Sequence, residues 1–348
     1  MSKPLRNRQS CVGLHVEELP TPVLLISKPI VERNIAQLHQ DVESAGLTFR
    51  PHVKTLKVLY GLPINKTALA ELSQIREHVD VVLLIDHDQH IDLIEGFGYK
   101  NPWRVFIKID VGSKRAGVPP SSARLPALVK RALASPSVSL FGFYCHAGHS
   151  YACKTTREAE DVLRNEVEGV LYAASLVPPT HSITVSIGST PTAHVVKSIK
   201  AAAPPNVAIE LHAGNFPTND LQQVSTGLVA EDQQAIRIQV EVCSIYPERN
   251  EALVNAGTIA LSKETSAFPG FGNVVEKPAW YVGRMSQEHG ILVTEPGNGR
   301  FAEEEFRVGD KLRLYCAHSC ITAAAFPEYY VVDEHDRVSE VWIPWKWW

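Results

Sequence analysis

A lysine and a cysteine–histidine–cysteine set are the residues of this 348-residue chain whose types and spacing could perform chemistry. Lys54 lies in the segment Arg50–Lys57, at the predicted end of a short strand that begins at Phe49. A lysine held at a strand end inside a core loses solvation, which lowers its pKa and makes the amine available for an imine with a carbonyl. The alternative is a surface lysine beside a turn, the commoner environment of this residue type.

The second set is Cys316, His318 and Cys320, which are spaced by two residues. If the segment is a strand, this spacing puts all three side chains on one face. Thiolate and imidazole on one face suit zinc. The spacing is not that of a zinc finger, and a catalytic zinc needs an open position. The alternative is a buried strand with two core cysteines and a hydrogen-bonded histidine, and the residues alone leave both interpretations open.

The elements before about residue 220 must position Lys54, and they alternate between apolar strand-like runs and helix-like segments. Near-continuous apolar strands that alternate with helices predict a parallel sheet covered by helices, and seven or eight such units predict a closed barrel. The strand-like runs are Phe49–Lys54, Val58–Ile64, Val79–Asp86, Trp103–Asp110, Ser139–His146, Ser182–Ser189 and Val207–Gly214. The helix-like segments include Ile30–Ala45, Arg124–Ala134 and Thr156–Ser175.

After about residue 234 the pattern changes to period-two strands with turns, which predicts an antiparallel β domain. Its predicted strands are Ala235–Tyr246, Thr258–Leu261, Lys311–Tyr315, Tyr329–Asp333 and Val338–Ile343. The early run Thr21–Ser27 precedes the barrel pattern and is expected to join this domain. We therefore predict a (β/α) barrel over residues 28–220, and a β domain formed by residues 1–27 and 221–348 that carries the metal site.

Several predicted strands end in small and polar residues, where barrel folds place their chemistry. Glycine with serine, threonine or asparagine at a strand-to-helix turn can offer backbone N–H groups to a phosphate, although turns use the same residues for backbone reasons. The four strand ends are Asp110–Gly117, Tyr144–Tyr151, Gly188–Thr192 and His212–Asn215. Four such strand ends in succession predict a ligand site better than any one of them alone.

Composition excludes several classes of partner. The net charge of −4 argues against nucleic acid or an anionic membrane as the main partner. No apolar run has membrane-spanning length, and the N-terminal residues lack the apolar core of a signal peptide. Six cysteines are too few for a disulfide scaffold in a chain of this length. We expect reduced thiols and a cytoplasmic protein.

Over roughly residues 20 to 343 the chain resembles the eukaryotic, fungal-type D-serine dehydratases. These belong to the alanine-racemase-like, fold-type III group of pyridoxal-phosphate enzymes, which combine a TIM-type barrel with a β domain. The motifs that carry the resemblance appear in the family's order. They are Arg50–Thr55, Leu59–Ile64, Asp110–Gly117, His149–Tyr151, Gly188–Thr192, His212–Asn215, Ser286–Gly290 and His318–Cys320.

The resemblance implies a role for each matching position. Lys54 would hold pyridoxal phosphate as an imine and then remove the substrate's α-proton. Arg115 would lie near the cofactor ring oxygen or the substrate carboxylate, and Tyr151 would line the pocket. The other implied cofactor-binding residues are His52 and His146, Thr190, Gly214 and Asn215 at the phosphate, and His212 near the pyridine nitrogen.

The implied activity is the pyridoxal-phosphate- and zinc-dependent conversion of D-serine to pyruvate and ammonia, with His318 and Cys320 as zinc ligands. D-Threonine aldolases share the architecture, but in that resemblance a carboxylate stands at the position of Cys320. This cysteine therefore favours the dehydratase over retro-aldol cleavage. The resemblance also implies a homodimer that acts on a small D-amino acid.

One departure from the family concerns the connection after Lys54. Only three residues, 55–57, separate Lys54 from Val58, whereas adjacent parallel strands need a crossover of a dozen residues or so. The family has a helix, a strand and a further helix at this place, and Leu56 replaces a family histidine. We predict that the barrel lacks one βα unit and has seven strands or a gap. A pyridoxal-phosphate-binding form with little activity is therefore a third hypothesis.

Overall fold

A computed structural model describes residues 11–51, 59–98, 101–199 and 203–344. His52, Lys54, Lys57 and Val58 lie outside these ranges, so the sequence-based predictions for them stay predictions. The described strands are β1 Val23–Ser27, β2 Thr48–Pro51, β3 Leu59–Tyr60, β4 Val82–Ile85, β5 Trp103–Ile109, β6 Val138–Cys145, β7 Ile183–Ile187, β8 Val207–Ala213, β9 Ile236–Tyr246, β10 Glu251–Val254, β11 Gly272–Val274, β12 Trp280–Met285, β13 Gly290–Thr294, β14 Lys311–Cys316, β15 Tyr329–Val332 and β16 Val338–Trp342.

Helices connect most of these strands. The α-helices are α1 Lys28–Ser44, α2 Lys66–Ile75, α3 Asp88–Phe97, α4 Arg124–Ala134, α5 Thr156–Ser175, α6 Thr190–His194, α7 Leu221–Ser225, α8 Thr258–Leu261, α9 Ala302–Glu305 and α10 Ser319–Ala325. Short 3-10 turns are Val16–Glu18, Gly148–Ala152, Val196–Ser198, Glu231–Gln233 and Pro247–Arg249. None of the helices in the described ranges is long and apolar enough to cross a membrane.

The chain divides into two compact units. The first, here called the sheet unit, is Leu38–Gly214, and the second, the β unit, is Met1–Gln37 together with Asn215–Trp348. The sequence-based boundaries were 27/28 and 220/221. Every predicted cofactor residue between Arg115 and Gly214 therefore lies in the sheet unit, and the predicted zinc ligands lie in the β unit.

The sheet unit contains a parallel sheet in the order β2-β8-β7-β6-β5-β4-β3. Its described strands number seven, as the sequence predicts. β2 and β3, which are consecutive in the chain, occupy the two ends of this order, and no pairing joins them among the residues that the structure describes. Among the described residues, the strands thus form a parallel half-barrel sheet with β2 and β3 at its two ends.

Hydrophobic patterning explains this unit. β4 is buried along its whole length, and β5 is buried at every residue but one, as expected for parallel strands covered on both faces. Helix α4 buries a stripe formed by Leu125, Leu128, Val129 and Ala132, which recurs at the spacing of one helical face.

The β unit is built on an antiparallel barrel that closes in the order β9-β10-β13-β12-β11-β14-β9. Its core includes Trp280 and Phe306, whose rings meet edge to face at 4.9 Å. β1 extends the sheet by pairing antiparallel to β9 and parallel to β15, so the early apolar run belongs to this unit. The predicted antiparallel β domain is confirmed.

Two predicted strand segments are not strands. Thr258–Leu261 forms the short helix α8, in which the N–H groups of Ala260 and Leu261 bond to the carbonyl of Gly257. The segment from Cys316 to Cys320 is also not a strand, because β14 ends at Cys316 and α10 begins at Ser319. The condition under which Cys316, His318 and Cys320 would share one strand face is therefore not met.

Candidate functional site

The predicted cofactor residues of the sheet unit follow neighbouring strands at their carboxyl ends. Arg115 follows β5, His146 and Tyr151 follow β6, Thr190 follows β7, and His212 and Gly214 lie at the end of β8. The carboxyl ends of parallel strands meet at one edge of the sheet, where α/β enzymes place their ligands. The topology therefore brings these residues to one edge, as the motifs predict.

His212 is fully buried in β8, and its contacts fix its tautomer. Its ring stacks on Tyr144, with centroids 4.4 Å apart and planes 7° from parallel. The Ser186 hydroxyl donates its hydrogen to Glu210 Oε1 at 2.8 Å. Its oxygen must therefore accept from His212 Nδ1, at 2.9 Å. With the hydrogen on Nδ1, a neutral His212 presents Nε2 as a hydrogen-bond acceptor.

An ion pair anchors this network to β2. Arg50 donates from Nε to Glu210 Oε1 at 2.6 Å and from Nη2 to Oε2 at 3.0 Å. A bidentate guanidinium–carboxylate pair fixes direction as well as charge. Because Arg50 stands four residues before Lys54, the pair holds the strand that leads to the predicted cofactor lysine.

The turns after β6 and β7 are bonded to each other. His146 donates from Nδ1 to the carbonyl of Gly188 at 3.0 Å, which assigns its tautomer in the same way. The hydroxyls of Ser150 and Ser189 lie 2.7 Å apart and are buried. Gly188 has a φ of +134°, and a Cβ there would stand 2.1 Å from the carbonyl oxygen of His212. Only glycine fits at this position of the site.

Arg115 lies on an exposed loop that the sequence organises locally. The Asp110 carboxylate accepts the backbone N–H groups of Gly112 at 3.0 Å and Lys114 at 3.1 Å. The charge of Arg115 repels the charge of the buried Lys108 on β5. The Lys108 Nζ stands 4.7 Å from the centre of the Tyr144 ring. Burial lowers the pKa of Lys108, and the charge of Arg115 lowers it further.

The β unit brings together two of the three predicted metal-binding side chains. His318 caps α10, Cys320 is the second residue of that helix, and their side chains are hydrogen-bonded. Cys316 instead points into the barrel core, where burial raises the pKa of its thiol to about 12. Cys316 is therefore a buried core residue, whereas His318 and Cys320 are partly exposed.

Buried polar groups hold the turn that carries His318 and Cys320. Asp220 Oδ2 accepts from the Ser319 N–H at 2.9 Å and from Asn215 Nδ2 at 2.6 Å. Asn215 Oδ1 accepts from the Ser319 hydroxyl at 2.5 Å. Asn215, predicted as a phosphate ligand, thus uses its side chain to position this turn.

The electrostatics of His318 suit a cation. Burial alone lowers the pKa of its imidazole, but the hydrogen bond to Cys320 and the charges of Asp220, Cys320 and Glu264 outweigh it and raise the pKa. Glu264 Oε2 stands 3.8 Å from His318 Nδ1. A metal that replaced the proton would be stabilised by the same negative surroundings.

The residues present fit the groups that the sequence implies. A hydroxyl, two imidazoles and a guanidinium at one sheet edge are polar groups that suit a phosphorylated aromatic ring. A paired imidazole and thiol are donors that zinc prefers. Within the described part of the chain, no group of three or more His, Cys, Asp or Glu side chains could hold a metal ion.

Sequence reasoning did not find three residues that organise these sites. Asp220 caps α7 by accepting the N–H of Gln223 at 3.0 Å, and an aspartate before a helix pattern could have been found as a cap. Ser186 and Glu210 are polar residues inside apolar strands. Such residues break the pattern of a buried strand and are the signal to look for.

Comparison with known protein families covers most of the chain. The profile described as "Alanine racemase, N-terminal domain" matches residues 31–214, and the profile described as "Putative serine dehydratase domain" matches residues 235–332. The chain is 35% identical to the D-serine dehydratase of Schizosaccharomyces pombe, over 98% of this chain and 95% of that protein. It is 30% identical to the D-serine dehydratase of Saccharomyces cerevisiae, over 97% and 98%.

Solved structures give the same picture. The D-threo-3-hydroxyaspartate dehydratase of Delftia sp. HT23 matches with a TM-score of 0.84 and 26% identity, covering 96% of this chain and all of that one. A cysteine-to-alanine variant of that enzyme is described as its metal-free form. The alignment with the S. pombe enzyme is 401 positions long, more than the 348 residues of this chain, so the relative carries segments that this chain lacks.

Proposed function

The chain belongs to the D-serine dehydratase family of pyridoxal-phosphate enzymes, with an alanine-racemase-like fold, and we propose that it converts D-serine to pyruvate and ammonia. The family assignment makes it a pyridoxal-phosphate-dependent lyase. The observation that supports D-serine as the substrate is the sequence identity of 30–35% to D-serine dehydratases over nearly the whole chain. The substrate is thus a small D-amino acid, and neither nucleic acid nor membrane is part of the proposal.

The proposed chemistry needs a base and an electron sink. Lys54 would hold the cofactor and remove the α-proton of the substrate. Pyridoxal phosphate, when bound, supplies the electron sink that spreads the charge developing at Cα. Arg115 would pair with the substrate carboxylate or the ring oxygen, and Tyr151 would line the pocket. Loss of water leaves aminoacrylate, which hydrolyses to pyruvate and ammonia.

The sheet edge supplies the remaining cofactor contacts in this proposal. His52, His146 and His212 would contact the ring, and the Nδ1–H tautomers of His146 and His212 leave Nε2 as an acceptor in each neutral imidazole. The phosphate would be bound by Thr190, Gly214 and Asn215. Since the Asn215 side chain is hydrogen-bonded to Asp220, its part would fall to the backbone N–H.

Zinc is the second proposed cofactor, held by His318 and Cys320. Hydroxide is a poor leaving group, and a Lewis acid on the β-hydroxyl lets it leave without a strong protein acid. A site with two protein ligands leaves coordination positions for water and substrate. A cysteine-to-alanine variant of the Delftia relative in a metal-free form supports a metal in this group of enzymes.

The proposed activity is tested by product formation from matched substrates. Purified protein supplied with pyridoxal phosphate and zinc should release pyruvate from D-serine, with little or none from L-serine. D-Threonine distinguishes the two chemistries, because dehydration gives 2-oxobutyrate and retro-aldol cleavage gives acetaldehyde and glycine. Acetaldehyde as the main product would establish the aldolase alternative. No turnover of D-serine by cofactor-loaded protein would establish the third hypothesis, a binding form with little activity.

We also propose that the sheet unit is a TIM-type barrel that lacks one βα unit after Lys54. Support comes from the seven described strands, from β2 and β3 at the ends of the strand order, and from the longer S. pombe relative. Unpaired strand edges leave N–H and C=O groups without partners. A homodimer and a cytoplasmic location complete the proposal, the former from the resemblance and the latter from six free cysteines.

The proposed gap predicts lower stability than in a relative with the full barrel. Net stability is only about 5–15 kcal/mol. A loss of about 3–5 kcal/mol would lower the melting temperature of a chain of this length by about 4–7 °C. We expect this chain to melt at least that far below the S. pombe enzyme, and to gain stability and turnover when the relative's extra segment is inserted after Lys54. Equal melting temperature and turnover, or a crystal structure with eight closed strands, would refute the gap.

A further inference from the structure

A buried carboxylate on α5 is the observation that this inference starts from. Glu166 is completely buried, although the helix face around it is otherwise apolar. Leu163, Val167 and Val170 share that face. Acids are almost never fully buried unless they are paired, because burial disfavours the charge. A carboxyl group at this position needs a reason in its contacts.

The contacts of Glu166 are two strand-end turns. Its Oε1 accepts the backbone N–H of Ala147, after β6, at 3.1 Å. The same oxygen accepts the backbone N–H of Gly188, after β7, at 3.1 Å. The Cys145 thiol stands 3.7 Å from this oxygen. One oxygen thus bridges two neighbouring turns.

These two turns carry predicted cofactor residues. Ala147 directly follows His146, and Gly188 stands two residues before Thr190. The carbonyl of the same Gly188 accepts the Nδ1–H of His146 at 3.0 Å. The N–H and the C=O of one glycine are therefore both fixed, the first by Glu166 and the second by His146. A shift of Glu166 would move both turns together.

The hydrogen-bond acceptor matters as well as the shape. Buried backbone N–H groups need an acceptor, and a carboxylate forms hydrogen bonds roughly twice as strong as a neutral acceptor does. Burial raises the pKa of Glu166 to about 7, against which the bonds from Thr192, Gly188, Ala147 and Cys145 act. An apolar residue at 166 would fill the space but leave both N–H groups without a partner.

We propose that Glu166 is a positioning residue of the cofactor site, which sets the turns after β6 and β7 at the spacing that pyridoxal phosphate requires. The proposal rests on the proposed function, because it takes the cofactor to lie at this edge. Glu166 does not contact the reacting atoms and acts through His146 and Thr190. The apolar neighbours of Glu166 on α5 do not require an acid here, since a methionine would pack against them, and the two backbone N–H groups are what need the acceptor.

The test compares an acceptor and an apolar residue of similar size. Apo-protein is titrated with pyridoxal phosphate, and binding is followed by the visible absorbance of the lysine-bound cofactor. Glu166→Gln keeps an oxygen for both N–H groups and should bind within about threefold of wild type. Glu166→Met should raise the dissociation constant by at least about tenfold, because two buried donors lose their acceptor. Thermal unfolding of each apo-protein is measured in parallel.

A control variant separates positioning from general stability. Leu163→Ala removes buried contacts from the same face of α5 but keeps the hydrogen bonds from Glu166 to both turns. It should lower the melting temperature of the apo-protein and leave cofactor affinity within about threefold. The proposal is overturned if Glu166→Met binds as wild type does, or if Leu163→Ala loses as much affinity at an equal drop in melting temperature. Absence of cofactor binding by the wild type would instead refute the proposed function.

Discussion

Replacing Lys54 with alanine is expected to remove both the visible absorbance of the bound cofactor and the dehydratase activity. The lysine is proposed to hold pyridoxal phosphate covalently and to act as the base, so its loss removes two functions at once. General base catalysis alone contributes about 100- to 10,000-fold. Pyruvate release from D-serine should therefore fall at least that far. Absorbance spectra of purified protein and a pyruvate assay are the two measurements.

Lys57 provides the matched control for Lys54. It lies three residues further along, in the same short connection, and has the same chemistry. Lys57→Ala should keep the absorbance and most of the activity. The opposite result would be that Lys54→Ala keeps the absorbance and the activity while Lys57→Ala loses both. The cofactor would then be bound to Lys57, and the family motif would be misaligned in this region.

Helices with a clear amphipathic period were predicted to the residue. Arg124–Ala134 and Thr156–Ser175 have the bounds expected from the sequence. For the second helix the local signals agree, since Thr155 caps it by accepting the Glu158 N–H at 3.3 Å and its buried residues follow one face. Such elements are specified by residues close in sequence, so a single sequence suffices to predict them.

Elements that depend on distant partners were predicted less well. β10 to β13 form four of the six strands of the closed barrel, yet they are only three to six residues long. The barrel closes because β10 pairs with β13 and β11 pairs with β14, which lie further along the chain. The period of two at Cys316–Cys320 does not indicate a strand. A helix begins inside it because Asp220, about a hundred residues earlier, accepts the Ser319 N–H.

Side chains that hold the sites in place were harder to predict than the residues in the motifs. The motif residues stand at strand ends, where polar type and position both attract attention. Glu166 and Glu210 lie inside apolar patterns, and their partners are backbone groups or an arginine on other elements. A charged residue in an apolar stripe is a local signal that something must be paired, but it does not say with what.

Removing the metal is expected to abolish dehydration while leaving the cofactor absorbance in place. The proposed zinc acts on the leaving hydroxyl, whereas Lys54 holds the cofactor through a separate bond. Lewis-acid stabilisation is worth several kcal/mol, so turnover of D-serine should fall by about 100-fold or more. Chelation followed by metal analysis and the pyruvate assay measures this, and added zinc should restore activity. His318→Ala and Cys320→Ala should lose dehydration and keep the cofactor absorbance, as the chelated protein does. Added zinc should not restore their activity.

Cys316 makes this prediction specific to the proposed ligands. It is a thiol four residues from Cys320, but the fold turns it into the β-unit core, where burial raises its pKa to about 12. A thiol that resists ionisation is a poor zinc ligand, since the thiolate is the form that binds. Cys316→Ala should therefore retain zinc and activity and lose only stability. Full dehydratase activity in protein shown to be free of zinc would remove the Lewis acid from the proposed chemistry, and the leaving hydroxyl would then need a proton from the protein.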